Sequence, residues 1–263
     1  AEKVEGSDRT VYEDAMQTAC DQYKSNPSAM TPNQRSVIDA ALNLVIPEGV
    51  ESVREGLIKE KEEVGEKKTV TAYSIKTIKS GTYDDAGNLK PGTGTFAGCE
   101  NLTGISLLAD ANNNGINTIE DHAFEGCKSL TDVSISPSLT SLGICPFYGC
   151  ENLTDVNFQN NPVYSCDDSI IYSTDDSGKE IVECLPGRSK AIRSTELEGV
   201  TGLKAEAFRG SSVMEVDLTG TSMDTIPARA FADTPQLYKV SLPYTCDAVE
   251  EYAFQNSNLT MFV

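Results

Sequence analysis

The feature that most constrains the fold is a motif that returns along the chain, built around a phenylalanine and ending in alternating apolar residues. Its clearest copy is His122–Ile135, HAFEGCKSLTDVSI. Six copies are marked by Phe96, Phe124, Phe147, Phe208, Phe231 and Phe254. The gaps between these residues are 28, 23, 61, 23 and 23 residues, so the unit is 23 residues long and two intervals carry insertions. A fixed period of this length predicts a solenoid, in which each repeat forms one coil stacked on the next.

Within one unit, apolar residues at every second position predict a short parallel strand. In the clearest copy, Val133 and Ile135 are expected to point into the core, whereas Asp132 and Ser134 are expected to point outward. Stacked strands of this kind would form the concave side of the solenoid, and the second half of each unit would return along the convex side. Each coil leaves half of its apolar surface uncovered, so its neighbours must supply the rest of the core.

The chain before the repeats predicts a helical cap over residues 1–43. Arg9–Lys24 has apolar residues at helical spacing, and a second helix is expected after Thr31, with Pro32 at its first position. Because a solenoid end exposes an apolar cross-section, a cap is physically expected there. Residues 44–263 then form the solenoid, with irregular first coils at 44–93.

The longest interval predicts a β-hairpin inserted at about residues 161–188. Ser169–Ser173 and Glu180–Leu185 are apolar-alternating runs, and Asp175–Gly178 separates them. Aspartate and glycine supply the positive φ angles of a short turn. The predicted fold class is therefore an α/β repeat solenoid with short parallel strands on its concave side, a helical N-terminal cap and an inserted β-hairpin.

Cysteine spacing predicts packing and not metal binding. Cys99, Cys127 and Cys150 share one repeat position, three residues after the phenylalanine, where a free thiol would fill a small buried slot. No C-x-x-C motif occurs, and the single histidine cannot assemble a Cys/His zinc site with suitable spacing, so no metal site is predicted. Cys166 and Cys184 flank the predicted hairpin, and whether they form a disulfide stays open because it depends on the redox compartment.

The charge balance excludes some classes of partner. Lys+Arg 21 against Asp+Glu 40 gives a formal net charge of −19, which argues against nucleic-acid phosphates and against adsorption to anionic lipid. The sequence shows neither a transmembrane-length apolar run nor the apolar core of a signal peptide. Because the chain opens at Ala1 and not at a methionine, we expect a mature or trimmed form, for which export stays open.

No motif predicts a catalytic site or a cofactor. The sequence lacks G-x-S-x-G, and its one histidine, His122, offers little for general base chemistry. Carboxylates are too numerous to single out a glycosidase-like pair. We therefore expect a protein that is not an enzyme and that needs no cofactor.

The outward residues of the predicted strands form the candidate binding surface, because they have no packing role. Asp132, Asp155 and Glu215 share one repeat position, and strand spacing would place neighbouring carboxylates ~5 Å apart, as a cation or a basic protein patch requires. The alternative is a row of solvated charges, which the absence of an Asp-x-Asp-x-Asp-Gly loop favours over calcium binding. The complete predicted set is Asp132, Ser134, Asp155, Asn157, Glu215, Asp217, Lys239 and Ser241.

The repeat pattern, A-F-x-G-C-x-x-L-x-x-V-x-I-P, resembles the BspA-like leucine-rich repeats, a bacterial cell-surface class. The segments that carry the resemblance are His122–Gly143, Pro146–Phe158, Ala207–Pro227 and Ala230–Tyr252, with IPEGVESV at Ile46–Val53. The predicted hairpin also resembles degenerate units of that family, through Ile170–Tyr172, Asp176, Gly178 and Leu185-Pro186. The resemblance implies a right-handed leucine-rich-repeat superhelix.

The resemblance also implies a function and a location. It indicates a secreted or cell-surface protein, with or without a lipid anchor, that binds a host matrix protein or a bacterial surface protein through its concave face. It carries over no catalytic residues, and it allows membrane contact only through an N-terminal lipid anchor. Two alternatives stay open: a structural spacer or envelope-assembly protein without a ligand, and a carbohydrate-binding or carbohydrate-active protein with a glycan as partner.

Overall fold

The computed structural model describes residues 43–46, 68–72, 77–79, 95–109 and 115–263 of the chain. The helical cap predicted for residues 1–43 lies outside the described residues, apart from Asn43. Most of the irregular first coils at 44–93 also lie outside them. The division of the chain at residues 43 and 44 therefore stays a prediction.

The first series of short parallel strands is the series that the alternating apolar residues predicted. Its first sheet has the order β1-β2-β4-β6, and a bridge between Ser134 and Asn157 extends it by one coil. A second sheet of the series has the order β12-β14-β16, and a bridge joins Ile192 to Val216 at its edge. The strands are β1 (Asn43–Ile46), β2 (Lys68–Ala72), β4 (Leu102–Leu107), β6 (Asp132–Ile135), β12 (Glu215–Asp217), β14 (Lys239–Ser241) and β16 (Met261–Phe262).

A second series of shorter parallel strands forms the return side of each coil. Its sheets have the orders β3-β5-β7 and β13-β15. The strands are β3 (Thr77–Ile78), β5 (Thr118–Ile119), β7 (Ser141–Leu142), β13 (Thr225–Ile226) and β15 (Ala248–Val249). The predicted leucine-rich-repeat-like fold with stacked parallel strands is thus confirmed.

The core lies between the two series and is built around stacked phenylalanine rings. Phe124 stacks on Phe96 and on Phe147 with centroid distances of 5.3 and 5.1 Å. Phe231 stacks on Phe208 and on Phe254 at 4.7 and 5.2 Å. Such stacked aromatic pairs contribute roughly 0.5–1.5 kcal/mol each beyond the area they bury, which explains why the phenylalanine is the constant mark of the repeat.

The repeat cysteines fill the small buried slot that their spacing predicted. The thiol of Cys127 donates to the carbonyl of Phe96, and the thiol of Cys150 donates to the carbonyl of Phe124, both at 3.2 Å. Thr234 supplies a hydroxyl in the same slot and donates to the Phe231 carbonyl at 2.7 Å. The slot therefore holds a small side chain, which in these three coils donates one hydrogen bond.

The longest interval contains the predicted hairpin and, beside it, a strand that the sequence did not predict. Strands β9 (Ile170–Asp175) and β10 (Gly178–Cys184) are antiparallel, and the N–H of Ser177 in their turn donates to Asp175 Oδ1 at 2.7 Å. The missed strand, β8 (Tyr164–Asp167), pairs with β9, while β10 continues into the solenoid through parallel pairing with β11 (Val200–Leu203).

This insertion divides the core into two clusters. Ile171 of β9 and Val182 of β10 belong to the cluster that holds the first phenylalanine stack, whereas Ile170 and Ile181 belong to the cluster of the second stack. The coil between the stacks has Cys184 where the others have phenylalanine. Its N–H donates to the Ala207 carbonyl at 2.6 Å, just as the N–H groups of Phe124, Phe208 and Phe231 donate to a carbonyl of the coil that follows. The ring stack is therefore interrupted at this coil.

In the part of the chain that the structure describes, no helix has the length and apolar character needed to cross a bilayer.

Candidate functional site

The outward side of the first strand series, which we call the strand face, brings half of the predicted site residues together. Asp132 lies opposite Gly104, Ser134 lies opposite Ser106, and Ser134 also bridges to Asn157. Asp132, Asp155 and Asn157 are exposed, and Ser134 is half-buried. The alternation of apolar and polar residues places these side chains outward, because each intervening Val or Ile is buried.

The other predicted residues form a separate part of the strand face. Glu215 lies opposite Lys239, and Asp217 lies opposite Ser241, as the repeat register predicted. The single column of Asp132, Asp155 and Glu215 is nevertheless interrupted, because the coil of Ile192 and not that of Asp155 neighbours Glu215. The predicted row of carboxylates is therefore limited to Asp132 and Asp155.

The charged groups of this second part already have partners within the chain. Lys239 forms an ion pair with Glu215, and the Tyr238 hydroxyl donates to Glu215 at 3.2 Å. The Lys239 hydrogen bond lowers the pKa of Glu215, and the same contact raises the pKa of Lys239. Burial would raise the pKa of Asp217, but hydrogen bonds from the N–H and hydroxyl of Thr219, at 3.0 and 2.6 Å, lower it.

Ser241 corrects the prediction for one residue of the set. It was expected to face solvent, but only 9% of it is exposed. Ser241 lies on the middle strand of the β12-β14-β16 sheet, opposite Asp217, so a coil packs on each side of its small side chain. Ser241 is therefore not an accessible part of the strand face.

Two exposed apolar side chains on this part of the surface lie outside the predicted set of site residues. Met214 is 44% exposed and Tyr238 is 41% exposed, and the Tyr238 N–H donates to the Met214 carbonyl at 2.9 Å. They occupy the repeat position that Thr131 and Thr154 hold in earlier coils. The signal that could have found them is this change from threonine to Met and Tyr directly before the strand.

A network of charges joins coils on both sides of the insertion. His122 lies 3.3 Å from both Glu125 and Glu206, and Arg209 lies 2.8 Å from Glu206 and 2.9 Å from Asp233. Burial would lower the pKa of His122, but its close pairing with the two glutamates raises it to about 9. Burial would raise the pKa of Glu206, but its bonds to His122 and Arg209 lower it to about 2. His122 is thus part of a half-buried ion-pair network.

The fully buried carboxyl of Glu183 lies at the same junction. Both of its oxygens accept the Phe147 N–H at 3.2 Å, and the Cys145 thiol lies 3.5 Å away. Burial raises the pKa of Glu183 to about 8 and raises that of the Cys145 thiol well above its usual range. A thiol held protonated in this way is not an activated nucleophile.

The remaining cysteines of the insertion are free thiols as well. Cys166 and Cys184 are both unbonded. Burial raises the pKa of Cys166 to about 12, with a contribution from the neighbouring Asp155, and burial raises the pKa of Cys184 to about 12. No group of three or more His, Cys, Asp or Glu side chains among the described residues could hold a metal ion.

Comparison with known sequences identifies the repeat. A family model described as a BspA type leucine rich repeat region matches this chain in six copies, over residues 90–182 and 187–263. No curated protein gives a significant match to the chain.

Several solved structures of bacterial proteins are similar to this chain. The pneumococcal vaccine antigen PcpA is 16% identical, with a TM-score of 0.47 over 84% of this chain, and the chain spans 62% of its length. The leucine rich repeat protein of T. pallidum is 15% identical, with a TM-score of 0.38 over 71% of this chain and 74% of its own. A leucine rich cell surface protein of Faecalibacterium prausnitzii A2-165 is 14% identical, with a TM-score of 0.34 over 81% of this chain and 78% of its own.

Proposed function

Because the chain belongs to the BspA type leucine-rich repeat family, we propose that it is a non-enzymatic module that recognises a protein partner at the bacterial cell surface. The observation that carries this proposal is the strand face, on which regular stacking aligns polar and apolar side chains that have no role in the core. Its two parts offer different chemistry, and a protein partner is large enough to contact both.

The first part suits a basic patch on the partner. Asp132 and Asp155 are exposed on adjacent coils, and the chain around them carries a formal net charge of −19. Such a surface steers a positively charged partner toward it and speeds association at low salt. The partner class that fits is a basic extracellular protein, whether from the host matrix or from another bacterial surface.

The second part suits apolar side chains of the same partner. Met214 and Tyr238 are exposed side by side, next to an ion pair that leaves little free charge. Methionine and tyrosine are enriched in protein interfaces, where they are frequently the residues that contribute most to binding. We therefore place the apolar contact at Met214 and Tyr238 and the electrostatic contact at Asp132 and Asp155.

Binding to a panel of purified matrix and bacterial surface proteins, measured by surface plasmon resonance at several salt concentrations, tests this proposal. We expect saturable binding that weakens with salt. The variant pair Asp132→Asn and Asp155→Asn should slow association, whereas Met214→Ala with Tyr238→Ala should speed dissociation. The control pair Asp176→Asn and Glu198→Asn removes two exposed carboxylates outside the strand face and should change neither rate.

Two outcomes would favour another function. Unchanged rates in both strand-face variants would remove this surface as the binding site. Self-association on a sizing column, without binding to any protein of the panel, would favour a structural spacer, and binding or turnover on a glycan array would favour a carbohydrate-directed protein.

A further inference from the structure

A regular hydrogen bond joins neighbouring coils at the corner that follows each marker phenylalanine. The N–H of the residue two positions after the phenylalanine donates to a carbonyl of the next coil, at 2.6 to 3.1 Å. These bonds run from Gly98 to Glu125, from Gly126 to Tyr148, from Gly210 to Ala232 and from Asp233 to Gln255. Each coil thus presents one donor that its neighbour satisfies.

Gly149 breaks this pattern. The next coil has Leu185 and Pro186 at this corner, and the Leu185 carbonyl already accepts the Arg188 N–H at 3.0 Å. Pro186 has no N–H to offer to the coil that follows. Within the described part of the chain, the Gly149 N–H therefore has no acceptor and the Arg209 carbonyl has no donor. Both residues are half-buried, so these two backbone groups are left to water or to a ligand.

A cavity of about 510 Å³ lies at this broken corner, and we call it the corner cavity. Tyr148 and Gly210 come from the coils on its two sides and approach so closely that a Cβ on Gly210 would lie 2.6 Å from Tyr148 Cε2. The complete lining is Tyr148, Gly149, Glu151, Asn152, Pro186, Gly210, Ser211, Ser212, Asp233, Pro235 and Gln236.

The charged residues of this lining are all acidic. Glu151 is exposed, while Asp233 accepts from Arg209 at 2.9 Å and from Asn256 at 2.8 Å. The buried hydroxyl of Ser211 touches the Cys184 thiol but makes no hydrogen bond of ordinary geometry within the described residues. The cavity thus combines an unused backbone donor with a negative rim, which suits a group that has a carbonyl and a positive charge.

We propose that the corner cavity binds a turn of a partner polypeptide that carries an arginine or a lysine. A carbonyl of the turn accepts the Gly149 N–H, and the cationic side chain pairs with Glu151 and with the outer edge of Asp233. This inference rests on the proposed function in that it assumes a protein partner, but it involves none of the strand-face residues.

A polypeptide fits this cavity better than a sugar does. A turn of polypeptide offers both a carbonyl that can accept the Gly149 N–H and a cationic side chain that can pair with the exposed Glu151. Sugars are commonly bound against an open aromatic face, but the guanidinium of Arg209 lies over the Tyr148 ring, 4.6 Å from its centroid. The lining therefore lacks an open aromatic platform on that side.

Amide NMR with a short peptide tests the inference. The probe is the blocked tetrapeptide Gly-Arg-Gly-Ser, titrated into the full chain while the Gly149 amide signal is followed. We expect a saturable shift of that signal, and roughly tenfold weaker binding when neutral citrulline replaces the arginine, because a charge-assisted hydrogen bond is lost. Glu151→Gln should weaken binding by a similar factor, whereas Glu198→Gln, an exposed carboxylate outside the cavity, should not.

The controls separate this site from the strand face. Ser212→Trp should fill the cavity and abolish the shift, whereas Asp132→Asn with Asp155→Asn should leave the peptide titration unchanged. An unshifted Gly149 signal at millimolar peptide, equal affinity for the citrulline peptide, or a shift produced by methyl glycosides and not by the peptide would overturn the inference. If the protein panel shows no binding while the peptide titration succeeds, only the strand-face function fails.

Discussion

The glycine of the repeat is explained by the backbone angle at its position. Gly98, Gly126, Gly149 and Gly210 all have φ between 68° and 73°, in the left-handed region that other residues seldom adopt. Asp233 and Asn256 take this position in the last two units with φ of 55°. Aspartate and asparagine are the non-glycine residues that tolerate this conformation best, so the repeat changes its residue here without changing its backbone.

Gly126→Ala should therefore destabilise the fold by about 1–2 kcal/mol through backbone strain alone. A Cβ at Gly126 would have space, since its nearest neighbour would lie 3.8 Å away. Gly126→Asn should recover much of the loss, because asparagine adopts the left-handed region more readily. Urea unfolding measures both variants, and equal stability of Gly126→Ala and the parent chain would contradict this explanation.

At the scale of the elements, the sequence predicted the strands whose apolar residues alternate and missed those that depend on context. Strand β6 is visible because Val133 and Ile135 are buried and their neighbours are not. Strand β8 has no buried residue, so its pairing with β9 leaves no apolar pattern in the sequence. The coil of Cys184 was hidden because only its backbone hydrogen bond to Ala207 reveals that a cysteine takes the place of the phenylalanine.

The candidate site was predictable to a similar extent. The repeat register predicted that Asp132 lies opposite Gly104 and that Glu215 lies opposite Lys239, because equivalent residues of successive repeats pair. Sequence could not show that the insertion separates these residues, nor that Ser241 is buried. The corner cavity was out of reach as well, because it arises from a broken hydrogen-bond pattern and not from a motif.

The Glu183 carboxyl accepts the Phe147 N–H, whereas the N–H groups of Phe124 and Phe208 donate to a backbone carbonyl of the next coil. Because a carboxyl can ionise, the stability of this junction depends on pH. The pKa of Glu183 is raised to about 8 in the folded protein, whereas an unfolded glutamate has a value of about 4.3. As pH rises between these values, the unfolded state loses its proton first, so the free energy of unfolding falls by an amount on the order of a few kcal/mol. His122 acts in the same direction, since its stabilising charge is lost as pH rises through about 9.

Glu183→Gln should flatten this dependence, because an amide oxygen still accepts the Phe147 N–H but does not ionise. Thermal melting from pH 5 to 9 measures the effect, with Glu198→Gln as a control that removes an exposed carboxylate. The variant should lose less stability than the parent chain as pH rises across this range. The smaller loss that remains should be the one caused by deprotonation of His122. A parent chain whose melting temperature does not fall between pH 5 and 9 would contradict the role of Glu183.

At the scale of the whole molecule, the insertion separates two cores that each have their own stack of rings. In a solenoid, each coil contacts only its neighbours, so a weakened coil affects distant coils through the coils between them. Here the effect of a weakened coil must pass through the coil of Cys184, where the stack of rings is interrupted. At this coil, side-chain contacts such as the hydrogen bond from the Phe147 N–H to Glu183 supply part of the contact between the two clusters. We therefore expect the two clusters to open with partial independence.

Phe124→Leu and Phe231→Leu form a matched pair that tests this independence. Both phenylalanines are fully buried, and each lies between two stacked rings in its own cluster. Amide hydrogen exchange reports on each cluster through the Ile135 N–H, which donates to Asn157 at 2.8 Å, and the Leu218 N–H, which donates to Ser241 at 2.8 Å. Phe124→Leu should speed exchange mainly at Ile135, and Phe231→Leu mainly at Leu218, because opening free energies differ between weakly coupled units. Equal acceleration at both amides in both variants would instead show that the solenoid opens as one cooperative unit.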